Sequence, residues 1–143
     1  MPDKYDARSH ICFNLGRVMR KVYEHYQVQL SSFGITPPQY FVFNALWMGD
    51  GITIGELCDR VSLDSSTITG IIDRLEKSGY VERRPNPEDR RSAMVYLTAE
   101  ARKVGPKLLK YADELDAEMR KRFSAKDMKV FETILRELGE PQK

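Results

Sequence analysis

The chain has 143 residues, of which 41% are hydrophobic and 31% charged, with a formal net charge of +2. That length suits one domain with a sizeable core, and with so small a net charge any basic surface must be local. No apolar run approaches the roughly 18 residues of a membrane span, and Met1 to Ser9 carries no apolar signal-peptide core, so a cytoplasmic protein without membrane contact is expected. From Ser9 to Leu30, Ile11, Leu15, Val18, Val22 and Tyr26 recur every three or four residues, one face of a long helix closed by Gly34. A second helix begins at the Thr36-Pro37-Pro38 turn and runs to about Met48, before the break Gly49-Asp50-Gly51. Thr53-Ile54-Gly55-Glu56 has capping-box form and opens a short third helix to about Val61. After the tight link Ser62-Leu63-Asp64, Asp64 or Ser65 caps a fourth helix with Ile68, Ile71, Ile72 and Leu75 on one face and Gly79 at its end. Tyr80 to Arg84 and Ala93 to Leu97 predict a two-stranded hairpin, with the polar loop Pro85 to Ser92 at its tip. Thr98 caps a long helix whose residues Ala101, Val104, Leu108, Ala112, Leu115, Met119 and Phe123 make a near-heptad seam, with a kink expected at Pro106. Ser124 caps a last amphipathic helix through Met128, Phe131, Leu135 and Leu138.

The result is a mainly α chain with a small β-hairpin. The stretch from Thr53 to Thr98 reads as a helix-turn-helix with a wing, a unit whose second helix enters the DNA major groove. That helix turns Ser66, Thr69, Gly70, Asp73 and Lys77 away from its apolar face, flanked by Thr67 and Arg74, with Ser65 at its start. Hydroxyls there reach base edges or phosphates, and Gly70 admits close backbone approach. Asp73 is read as accepting from a cytosine amine or orienting Arg74. Taken alone, the plainer reading of this helix is a polar, solvated face. The wing adds Arg83 and Arg84 at its base and Arg90 and Arg91 at its tip, where an arginine can enter a narrow minor groove and Asp89 can hold one of the pair. A loop of ordinary surface charges is the plainer reading of the wing, but the two features together are more specific than either. The apolar seam exceeds what a helix-turn-helix needs and suggests a symmetric dimer.

These residues carry a resemblance. Leu57-Cys58-Asp59-Arg60-Val61-Ser62-Leu63-Asp64-Ser65-Ser66-Thr67-Ile68-Thr69, then Ile72-Asp73-Arg74-Leu75-Glu76-Lys77-Ser78-Gly79-Tyr80-Val81, then Asp89-Arg90-Arg91 with Leu97-Thr98, resemble the MarR family of bacterial regulators over nearly the whole chain. The resemblance implies a winged helix-turn-helix lobe over about residues 34–98 and a helical dimerisation region over about 5–33 and 99–143. It implies a homodimer on palindromic double-stranded DNA, usually a repressor released by a small molecule or by oxidation. Cys12-Phe13-Asn14-Leu15, Arg20, Tyr26, Ile35-Thr36, Pro38-Gln39-Tyr40 and Leu46-Trp47 are similar to the organic-hydroperoxide-sensing branch, which makes Cys12 the sensor position and Tyr26 a tyrosine that bonds it. Gly16 and Pro37 depart from that branch, which usually has tyrosines there.

Other readings of the same residues stay open. Cys12 is either that sensor or a small core residue, and Cys58 reads as core. A phenolic effector competes with peroxide, while Trp47 and Phe41 read as core rather than as its pocket. His10, Cys12, His25 and Cys58 lack metal-site spacing. No phosphate loop, dinucleotide fingerprint or nucleophile elbow is present, so neither enzymatic activity nor a cofactor is expected. The rival function class is a winged-helix protein–protein module that makes no DNA contact.

Overall fold

The first helix, α1, spans Ile11–Leu30 and follows a single 3₁₀ turn, Ala7–Ser9, capped by the side chain of Asp6. The structure is a computed structural model that describes residues 4–141 and divides after Pro106 into two compact units. Within the first unit, the C-terminal half of α1 buries Tyr26 and Leu30, whereas Ile11, Leu15 and Val18 near its start remain exposed. A second 3₁₀ turn ends at Gly34, whose φ of 69° is the left-handed conformation that glycine takes without strain.

Helix α2, Pro37–Trp47, begins with two prolines where no backbone N–H is needed, and the Thr36 N–H donates to the Gln39 side chain. It is the core helix of the unit, burying Tyr40, Val42, Phe43, Ala45 and Leu46. Its end is held from a distance: Arg60 Nη1 donates to the carbonyl of Ala45 in the last turn at 2.9 Å and to that of Gly49 just beyond the helix at 2.7 Å.

Helix α3, Ile54–Val61, and helix α4, Ser65–Lys77, form the expected pair. The capping box at α3 is complete, with the Thr53 N–H donating to Glu56 at 2.8 Å and the Glu56 N–H donating to Thr53 Oγ1 at 3.2 Å. Ser62 turns the chain between the helices with a φ of 55°, the one positive φ outside glycine among the described residues. Asp64 caps α4 by accepting from the Thr67 N–H at 2.7 Å. Ile68, Ile71, Ile72 and Leu75 are buried as the periodicity requires. Cys58 departs from expectation: it is only half-buried, because Leu57 takes the core position of that turn.

The wing holds one strand more than the hairpin the sequence suggested. β1 (Ile52–Thr53), β2 (Val81–Pro85) and β3 (Ala93–Leu97) form an antiparallel sheet in the order β1-β3-β2. β3 is central, with Arg83 opposite Val95 on one side and Ile52 opposite Val95 on the other. A two-residue strand has no periodicity to read, and its only signature is this distant pairing. Asp50, just before β1, accepts from the Leu97 N–H and from the Arg102 guanidinium, both at 2.8 Å, and so pins the base of the wing.

Helix α5, Ala99–Arg120, starts on the Thr98 side chain, which accepts from the Ala101 N–H, and continues unbroken through Pro106. In the second unit, Ser124 caps α6, Ala125–Gly139. Arg120 pairs with Asp116 at 2.6 Å and with Glu132 across the turn between the helices, and both carboxylates raise its pKa further. Met119, Phe123, Asp127, Met128 and Phe131 line a hollow of about 340 Å³. Val130, Phe131, Ile134, Leu135 and Leu138 on α6 all remain exposed.

Candidate nucleic-acid interface

Helix α4 presents Ser65, Ser66, Thr67, Thr69, Arg74 and Lys77 to solvent, with Gly70 half-buried among them. Nothing lies within 4 Å of the place where a Cβ on Gly70 would sit, so the backbone is bare there. Asp64 fixes the helix start by accepting also from Ser66 Oγ at 3.2 Å. The hydrogen bonds from Thr67 and then Ser66 hold the Asp64 carboxyl below the usual carboxylate range. An open groove of about 580 Å³ runs between the starts of α3 and α4 and the wing. It is lined by Thr53, Ser65 and Thr69 on the helix side and by Asn86, Arg91 and Ser92 on the wing side.

The four wing arginines divide into two kinds. At the base, the Arg83 guanidinium donates to Asp73 at 2.6 Å and to Glu76 at 3.3 Å, both on α4. Burial works against its charge, but Asp73 and Glu76 outweigh burial and leave its pKa raised. Arg84 is hydrogen-bonded to Glu82 and lies over the Tyr96 ring, 4.2 Å from its centroid. The reading that Asp73 orients Arg74 is thus corrected. Its partner is Arg83, brought up from the neighbouring strand.

At the tip, Arg90 and Arg91 are exposed, and among the described residues neither guanidinium makes an ion pair or a hydrogen bond. Asp89 does not hold an arginine side chain as the sequence suggested. Its Oδ1 instead accepts from the Arg91 backbone N–H at 2.9 Å, a local turn bond that outcompetes a longer reach. The tip therefore carries two arginines without an ion-pair partner on a loop bonded to itself.

Away from the wing, the aromatic rings of Tyr23, Tyr26, Tyr40 and Phe41 pack where α1 meets α2, with Tyr26 and Tyr40 centroids 4.9 Å apart. Trp47 and Phe41 are half-buried. Among the described residues, His25 Nε2 and Asn44 Oδ1 are buried without a hydrogen-bond partner, a costly state for polar atoms. Sequence reasoning missed Asn44 as a candidate. Its signal was a lone amide in the otherwise apolar run Tyr40 to Leu46. Cys12 is exposed near the start of α1 and does not pack as core within the chain.

Comparison with known proteins agrees with this geometry. The model of the MarR family matches residues 35–93. An organic hydroperoxide resistance transcriptional regulator of Bacillus subtilis (strain 168) is 32% identical over 101 residues, covering 68% of this chain and 69% of its own. Among solved structures, the PcaV transcriptional regulator from Streptomyces coelicolor, in complex with its natural ligand, superposes with a TM-score of 0.85 at 27% identity over 94% of this chain and 95% of its own. Overoxidized AbfR bound to DNA gives a TM-score of 0.74 at 27% identity, over 90% of this chain and 89% of its own. The helix-turn-helix, its wing and the long flanking helices thus share both sequence and fold with winged-helix regulators, and the chain belongs to the MarR family.

Proposed function

We propose that the protein is a sequence-specific double-stranded-DNA-binding transcriptional regulator. The observation that carries this reading is the hydroxyl-rich α4 face set across one open groove from Arg91 of the wing tip, with Arg90 beside it exposed and likewise without an ion pair. In this reading α4 enters the major groove, where Ser65, Ser66, Thr67, Thr69, Gly70, Arg74 and Lys77 meet bases and phosphates. Arg90 or Arg91 enters the adjacent minor groove, where the potential is most negative. Arg83 and Arg84, assigned to DNA contact by the sequence, serve rather to hold the wing, since their charges are already met. The DNA-bound AbfR structure supports the assignment by likeness of fold.

The functional unit in this proposal is a homodimer on a palindromic operator. Its support is the exposed apolar face of α6 and the exposed apolar start of α1, which a second copy would cover. Two α4 helices on a two-fold axis need half-sites about 10 base pairs apart. Selection from random duplexes tests the reading. An inverted repeat, bound with an affinity that falls steeply with salt, is the expected result. A protein that retains no duplex at low salt is instead a protein–protein module.

Regulation is proposed to be repression relieved by a small molecule. His25 Nε2 is buried and unpaired on a ring whose centroid lies 5.6 Å from that of Tyr26 in the aromatic cluster, which suits a phenolic ligand that brings its own hydrogen-bonding group. Oxidation of Cys12 is the second reading, favoured by its exposure and by the Bacillus relative. Tyr26 lies roughly 21 Å along the same helix, at 1.5 Å per residue, and meets Cys12 only across a dimer. DNA release by organic hydroperoxide in the wild type but not in Cys12→Ser would select oxidation. Release by phenolic acids from both proteins would select the ligand.

A further inference from the structure

The wing tip is closed on itself in a way that neither its sequence nor the family assignment explains. Asn86 and Ser92 face each other at the mouth of the loop, one residue beyond β2 and one before β3. The Asn86 N–H donates to the Ser92 carbonyl at 3.3 Å, and Asn86 Nδ2 donates to Ser92 Oγ at 3.0 Å. Both groups are then used again. Asn86 Oδ1 accepts from the Glu88 N–H at 3.0 Å, and Ser92 Oγ donates to the Asp89 carbonyl at 3.3 Å. The Ser92 N–H reaches the same carbonyl at 3.2 Å. Every one of these bonds begins and ends within residues 86–92. Asn86 and Ser92 are half-buried, whereas Arg90 and Arg91 between them are exposed and unpaired.

We infer that Asn86 and Ser92 are positioning residues that lock the wing tip into a ring before DNA arrives and act only through Arg90 and Arg91. The inference rests on the proposal that these arginines contact DNA. An open loop of this length would have to be ordered on binding, and that entropy would be subtracted from affinity. A ring closed by side chains has already lost that freedom in the free protein. The amide and the hydroxyl suit the task because each donates and accepts at once. Alanine at either position breaks two side-chain bonds and leaves both arginines in place.

The test uses the full-length protein, its selected duplex, and amide exchange in the DNA-free state. Asn86→Ala and Ser92→Ala should speed exchange of the Arg91 and Ser92 amides by about tenfold or more, as expected of a locally opened segment. Both should weaken DNA binding by roughly three- to tenfold, and Ser92→Thr, which keeps the hydroxyl, should restore exchange and affinity. Combined with Arg90→Ala and Arg91→Ala, the Asn86→Ala change should cost nothing further, because its route to DNA is gone. Unchanged amide exchange in Asn86→Ala overturns the ring. A loss that adds fully to the arginine losses overturns the positioning role, since Asn86 then touches DNA itself. Wild-type affinity in the combined arginine variant, with exchange still accelerated, removes the underlying DNA-contact reading and the positioning role with it.

Discussion

Replacing Gly105 by alanine should destabilise the protein, although alanine is the better helix former. A Cβ built there would lie 2.1 Å from Cζ3 and 2.3 Å from Cη2 of Trp47. Carbon atoms rest at about 3.5 Å or more, so the indole must retreat by roughly 1.4 Å (3.5 − 2.1). It cannot swing freely, because Trp47 stacks on the fully buried Phe43 at 5.9 Å and 22°. Overpacking of this kind costs about 1–3 kcal/mol, and the gain in helix propensity returns about 0.8–1.0 kcal/mol, for a net loss near ~1 kcal/mol. Gly70 in α4 makes the contrast, since nothing lies within 4 Å of its Cβ position. Gly70→Ala should therefore gain up to ~1 kcal/mol, while losing DNA affinity if the backbone approaches DNA there. Urea denaturation at one protein concentration, with slope and midpoint both fitted, gives the two values. A midpoint that rises in Gly105→Ala as it does in Gly70→Ala would refute the Trp47 contact as a constraint.

The wing arginines should separate in the same assay. Arg83→Ala leaves Asp73 and Glu76 unmatched beside each other, so it should lower stability by about 1 kcal/mol and weaken DNA binding as well. Arg90→Ala and Arg91→Ala should leave stability within about 0.5 kcal/mol, while the arginine that enters the minor groove costs about 1–3 kcal/mol in a footprint titration. Asp64 gives a pH signature. Its folded carboxyl titrates below the ordinary value, so its stabilisation is complete above the unfolded pKa of about 3.9 and is lost as pH falls through the folded one. Asp64→Asn keeps the cap without the titration, so its thermal midpoint should fall less steeply than the wild type's below about pH 4. Parallel curves would show that the cap does not depend on charge.

What was legible in the chain was local. Thr53, Asp64, Thr98 and Ser124 each cap a helix where a hydroxyl or carboxylate precedes an apolar period, because a cap needs only a donor two or three residues away. β3 runs from Ala93 to Leu97 as its β-formers suggest. What escaped was set by distance. Asp73 has an arginine beside it in sequence, yet it pairs with Arg83, which only the packing of β2 against α4 brings within reach. β1 exists because Ile52 meets Val95, and no pattern in two residues announces that. The orphaned atoms of His25 and Asn44 are likewise a property of packing, visible only once the neighbours that fail to bond them are known.

The three-stranded sheet also bears on strand addition by other chains. An open sheet edge is a row of unpaired amides and carbonyls on which another chain can add a strand. Here β3, the most apolar strand, is paired along its whole length by β2 and at Met94 and Val95 by β1, while the Leu97 N–H is taken by Asp50. One outer edge is β1, too short at two residues to template anything. The other is β2, whose Glu82, Arg83 and Arg84 set charge along the margin and whose Pro85 lacks the N–H an incoming strand would need. The margins of the wing are thus short or charged, which works against the addition of another chain's strand.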